Sequence, residues 1–164
     1  MITLSGGRRS PGPLRGLMLG MAAGAAGTTA LNAVTYLDMF VRGRPASSTP
    51  EATVAALTER TPIDMPGDDE SAQNRLSAAG SLLGLVAGVG TGALIGLVRS
   101  TGHPSGRWAT IAAAVTGGLL AGNAPMTILG VTDPKQWSAP DWISDVVPHA
   151  AHGVVTGLIL DILE

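Results

Sequence analysis

Residues 76–98 read LSAAGSLLGLVAGVGTGALIGLV, an uncharged run bounded by Arg75 and Arg99. At about 1.5 Å of rise per residue, a helix over this run covers the roughly 30 Å hydrocarbon core of a bilayer. Glycine returns at every fourth position, as Gly80, Gly84, Gly88, Gly92 and Gly96. On a helix that spacing gathers the glycines into one stripe, where missing side chains let a second backbone come close. A phosphate-binding loop would need a GK[ST] continuation and a polar setting, and neither is present. The stretch therefore predicts a transmembrane helix built for close packing.

Working outward, three further segments have similar character. The uncharged run 16–37 lies between Arg15 and Asp38 inside a span of about 14–40, and 108–132 lies between Arg107 and Asp133. The segment 142–163 is long enough to cross only if it carries Asp145, His149, His152 and Asp161. Spacing of four recurs in them at Gly16, Gly20 and Gly24, at Gly118 and Gly122, and at Gly153 and Gly157. All the aromatic residues, Tyr36, Phe40, Trp108, Trp137 and Trp142, fall at segment ends, where the membrane interface favours them. Arg8-Arg9 and Leu31-Asn32-Ala33 loosely resemble parts of a signal peptide, but the apolar run is too long for an ordinary h-region, so the segment is read as a retained helix.

Composition supports this layout. The 164 residues are 45% hydrophobic and only 13% charged, with a mean hydropathy of +0.32. A formal charge of -2 and the lack of arginine-rich runs argue against a nucleic-acid partner. The absence of cysteine removes disulfides, thiolate metal sites and cysteine nucleophiles together. Arginine dominates over the single Lys135, and alanine and glycine are abundant, a bias that suggests a bacterial source.

The polar segment 41–75 contains Ser48-Thr49-Pro50-Glu51, a helix start with a capping hydroxyl, a first-turn proline and an acid at the positive end. A short extramembrane helix is expected over about 50–59, stopped by Thr61-Pro62. Asp68-Asp69-Glu70 then begins the helix that becomes the second span. The expected fold is all-α: one membrane domain over 1–164, with four transmembrane helices and glycine-rich packing. Arg8, Arg9, Arg15, Arg99 and Arg107 share one side; Arg42, Arg44, Arg60, Arg75 and Lys135 share the other. The first group flanks the shorter segments, which assigns both termini to the cytoplasm.

The fourth span opens with DVVPHAAHG, residues 145–153. Spacings of four and three put Asp145, His149 and His152 on one helix face. By depth, Asn32 and Asn123 belong to the same leaflet, with Asp38 and Asp145 nearer the mouth. Such groups turn inward and find partners, since a mid-membrane charge costs about 2.5–3.5 kcal/mol. Interhelical hydrogen bonding is one use of this layer; a proton or ion path through Asp145, His149 and His152 is another. The Asp-x3-His-x2-His spacing offers a metal three ligands, without an HExxH motif beside it. Pro125 and Pro148 each free a carbonyl one turn earlier and can bend their helices beside these polar groups. No serine sits in a nucleophile-elbow pattern, so neither enzymatic activity nor a cofactor is expected.

Leu119-Leu120-Ala121-Gly122, the Leu-Gly-x-Thr-x-Pro exit at 129–134, Pro140-Asp141-Trp142, Asp145 and His152-Gly153 together resemble the YagU-like family of small bacterial inner-membrane proteins. His149 has no clear counterpart there. The resemblance implies a multispan inner-membrane protein without established enzymatic chemistry. The expected role is that of a non-enzymatic accessory, assembly or envelope-homeostasis protein, which meets the lipid bilayer and packs against itself or a larger membrane complex. The alternative is a small proton, ion or metal pathway.

Overall fold

The computed structural model describes residues 12–61, 65–102 and 106–164; Arg8, Arg9 and Pro62 lie outside them. Among these residues five α-helices follow one another: α1 (Pro13–Arg42), α2 (Thr49–Thr58), α3 (Asp69–Ser100), α4 (Arg107–Ile128) and α5 (Ala139–Leu163), with a 3-10 turn at Pro134–Gln136. All but α2 are long and apolar enough to cross a membrane. The chain is a multi-pass membrane protein.

The helix ends follow local chemistry. Asp68 caps α3, its carboxylate accepting from the Ser71 backbone N–H at 2.9 Å. The hydroxyl and then the backbone N–H of Ser71 hold that carboxyl below its ordinary range. Ser138 and Asp141 form a reciprocal capping box that starts α5 three residues before the expected 142, with Pro140 in its first turn. The helix α4 stops at Ile128, short of the expected 132. Gly130 takes a left-handed conformation at φ +76° and donates to the Thr127 carbonyl, while Val131 donates to that of Met126, so the last carbonyls are satisfied without another turn. In the short helix α2, Ser48 makes no side-chain cap; the Ser47 hydroxyl instead accepts from the Thr49 N–H at 3.2 Å.

The four long helices form an up-down ring in which α1 packs between α3 and α5, and α4 closes the ring between α5 and α3. The contacts that define it run antiparallel: Gly16 meets Gly96 and Ser100, Gly24 meets Gly88, Gly27 meets Thr156, and Gly157 meets Ile111. Where α1 crosses α3 no side chain separates the backbones. A Cβ built on Gly20 would stand 2.3 Å from the Gly92 carbonyl oxygen, and one on Gly92 would stand 2.4 Å from that of Gly20. In lipid, such contact substitutes dispersion attraction for the hydrophobic drive that water would supply.

The five-glycine stripe of α3 does not serve a single partner. Gly88, Gly92 and Gly96 face α1, Gly80 faces Pro50 and Glu51 of α2, and Gly84 meets nothing within 4 Å. The reason is angular: at about 100° per residue, each step of four advances about 40° around the helix. Over the whole ladder the stripe winds away from one neighbour and onto another.

Polarity is inverted relative to a water-soluble bundle. Large apolar side chains such as Leu82, Val86, Leu94, Leu120 and Ile162 point outward, whereas Thr28, Thr91, Thr110, His152 and Thr156 are buried. Two of the threonines bond locally, Thr28 and Thr91 donating to the carbonyls of Gly24 and Ala87, each four residues earlier at 2.8 Å, whereas Thr156 donates to the Ala23 carbonyl of α1 at 3.5 Å and Thr110 accepts from Arg99. A hydroxyl satisfied by its own helix can be buried in the bundle at little cost.

Candidate polar site

The interior side of α5 organises the polar groups. His152 is 1% exposed and is enclosed by a glycine from each of the other three long helices. Cβ atoms built on Gly27, Gly88 and Gly118 would stand 3.0 Å from its Cδ2, 3.4 Å from its Nε2 and 3.4 Å from its Nδ1. One imidazole thus occupies space that α1, α3 and α4 leave open together. Its Nε2 lies 3.3 Å from the Gly88 carbonyl oxygen. Its Nδ1 is buried and has no hydrogen-bond partner among the described residues.

One turn toward the mouth, His149 points its Nδ1 at the Asp145 carbonyl oxygen, 2.8 Å away, with the Asp145 carboxylate at 3.4 Å. Asn123 of α4 donates to the other carboxylate oxygen of Asp145 at 2.8 Å. Asn123, Asp145 and His149 therefore form one hydrogen-bonded group joining α4 to α5, and His152 lies on its inner side. Pro125 and Pro148 both sit inside their helices, beside this group.

The other members of the expected layer are placed differently. Asn32 is half-buried and makes no side-chain hydrogen bond among the described residues. Asp38 belongs to a separate cluster at the mouth: it pairs with Arg44 at 2.6 Å and Arg42 at 3.3 Å, and Arg42 donates to Ser144 of α5 at 2.7 Å. Two arginines within six residues of Asp38 reach it before any group on α4 can. Among the described residues no three-ligand metal cluster forms. The rings of His149 and His152 approach different backbone carbonyls, those of Asp145 and Gly88, so the Asp-x3-His-x2-His spacing does not converge on one point.

Sequence reasoning missed a second ion-pair cluster at the opposite end. Arg99 of α3, whose side chain is 12% exposed, reaches Glu164 at 2.6 Å, Asp161 at 3.2 Å and the Thr110 hydroxyl at 2.6 Å. Arg107 of α4 pairs with the second oxygen of Asp161 at 2.8 Å. Three helices are tied by two cations and two anions. The available signal was that Arg99, Arg107 and Asp161 must share one membrane face once the spans alternate. Two shallow grooves, of about 220 Å³ between α2 and α3 and about 180 Å³ beside Arg99 and Thr110, lie away from the histidines.

Comparison of the chain with protein families, with curated proteins and with solved structures finds no match.

Proposed function

We propose that this chain is a non-enzymatic accessory or assembly protein of a bacterial inner membrane, acting by helix packing against copies of itself or a larger membrane complex, with both termini cytoplasmic. The observation that carries the proposal is the unmet part of α3: Gly84 faces outward with nothing within 4 Å, beside the exposed Leu82, Leu85 and Val86. Elsewhere in this bundle glycines at the same spacing receive a neighbouring helix. A bare backbone patch on an apolar perimeter fits a further helix in the bilayer. The resemblance of 119–153 to the YagU-like family is consistent with an envelope role.

The test is gentle extraction of the tagged, native-level protein into nanodiscs, followed by native mass determination and identification of what travels with it. A stoichiometric homo-oligomer or heteromeric complex is the expected result. A chain that remains monomeric and partner-free at native level would overturn the proposal. A second reading, a proton or ion pathway, draws on the burial of His152 with an unpartnered ring nitrogen.

A further inference from the structure

The groove beside Arg99 carries an inference that does not depend on how the chain assembles. It lies between α3 and α4, holds about 180 Å³, and is lined by Leu94, Ile95, Val98 and Ala113, with Arg99 and Thr110 at one end. From Leu94 to Arg99 the helix rises about 7 Å, so the groove starts at the charged end of α3 and runs inward along the hydrocarbon. Leu94 is 64% and Val98 55% exposed, and Trp108, in the first turn of α4, stands outward at the level where the membrane interface favours an aromatic ring. Inside a bilayer such a surface meets either lipid or another helix.

Packing chemistry separates those two occupants. Where helix backbones approach most closely in this bundle the contact is made by glycine, as at Gly20 and Gly92, whereas the groove is walled by branched side chains that hold a second backbone away. A narrow apolar cleft that closes at an arginine takes a flexible acyl chain instead. Charge then selects the headgroup. At this end of the bundle the described residues include three arginines, Arg15, Arg99 and Arg107, against two acids, Asp161 and Glu164; the opposite end has five basic residues against nine acids. Arg99 is engaged by Asp161, Glu164 and Thr110. Arg107 is held by its Nε alone, at 2.8 Å from Asp161; its side chain is 57% exposed, and its two Nη groups bond to nothing among the described residues. The two oxygens of Asp161 bridge the two guanidinium groups, which keeps Arg107 beside Arg99 with N–H donors to spare. A phosphodiester oxygen is the natural acceptor for that fork.

We infer that the α3–α4 groove binds an anionic phospholipid, with one acyl chain along Leu94, Ile95, Val98 and Ala113 and the phosphate on Arg107. Arg99 is a positioning residue: through the shared Asp161 it fixes Arg107 and closes the groove at the interface. A zwitterionic lipid offers the same tail but brings its own cation toward the arginines, so the site prefers the anionic headgroup.

The experiment is native mass spectrometry of the full chain released from neutral-detergent micelles that carry equal amounts of phosphatidylglycerol and phosphatidylcholine with identical acyl chains. The expected spectrum shows one phosphatidylglycerol retained per chain, about fivefold over phosphatidylcholine, the preference that one arginine near an anionic surface supplies. Arg107→Gln is expected to remove the preference while lipid of both kinds still binds. Ala113→Phe, which fills the groove and leaves every charge in place, is expected to lose both. Lys135→Gln, at the opposite end, should change neither. Equal retention of the two lipids by the unmodified chain would overturn the inference, as would a preference that survives in folded Ala113→Phe. Displacement of the phospholipid by inorganic phosphate would overturn it by reducing the site to its headgroup contact. An oligomer that retains no lipid and dissociates on Ala113→Phe would give the groove to a second copy and overturn it as well.

Discussion

The α1–α3 seam and the α4–α5 seam are both rich in glycine, yet they use it in opposite ways. Between α1 and α3 glycine faces glycine, and the nearest obstacles to a Cβ on Gly20 or Gly92 are backbone atoms of the other helix at 2.3–2.4 Å. Between α4 and α5 three of the glycines accept a side chain, Gly157 that of Ile111 and Gly118 and Gly122 the histidine rings, while Gly153 meets both the side chain and the backbone of Val115. At its centre one seam is a close approach of main chains; the other, apart from Gly153, is a series of notches. A backbone cannot retreat without moving its helix, whereas the end of a side chain can adopt another rotamer.

The largest effect should therefore come from Gly92→Ala. The added methyl meets the Gly20 carbonyl and the Gly24 backbone, so we expect about 1–3 kcal/mol of destabilisation despite alanine's better helix propensity, read by denaturant unfolding in detergent micelles. A neutral Gly92→Ala would mean that the two backbones do not touch. Gly157→Ala should cost less, because its closest obstacle is the Ile111 Cγ1 at 2.5 Å, with backbone atoms no nearer than 3.3 Å. Pairing it with Ile111→Ala should recover part of the loss, with a coupling energy of at least about 0.5 kcal/mol in a double-mutant cycle. Strict additivity would erase the distinction between the seams. Smallest of all, Gly84→Ala should leave the monomer unchanged or stabilise it by up to about 1 kcal/mol, since no atom lies within 4 Å. If the same substitution weakens an oligomer, the outward glycine belongs to a third seam, between chains.

The two polar ends of the bundle differ in how readable they were. Asp145 and His149 declared themselves through i, i+4 spacing on one helix, and Asn123 joined them once α4 and α5 were aligned by depth. Asn32 met the same depth criterion but makes no bond to the group, because depth places a residue along the membrane normal and says nothing about its azimuth. Asp38 was grouped with Asp145, yet Arg42 and Arg44 engage it locally. The Arg99 cluster was invisible as a cluster because its members are separated by up to 65 positions in sequence. Their partnership exists only after two chain reversals.

What the sequence determined by itself is the membrane solution: four uncharged or nearly uncharged runs long enough to cross, with their backbone hydrogen bonds necessarily satisfied within helices. It also set the helix ends wherever a short-range cap existed, as at Asp68 and Ser138. Only the tertiary structure decided which glycine meets which helix, because a four-residue repeat drifts around an axis that turns every 3.6 residues and its phase relative to a neighbour is absent from the chain. The enclosure of His152 was decided in the same way. Gly27, Gly88 and Gly118 come from three helices, and their common feature is the space they leave at one point.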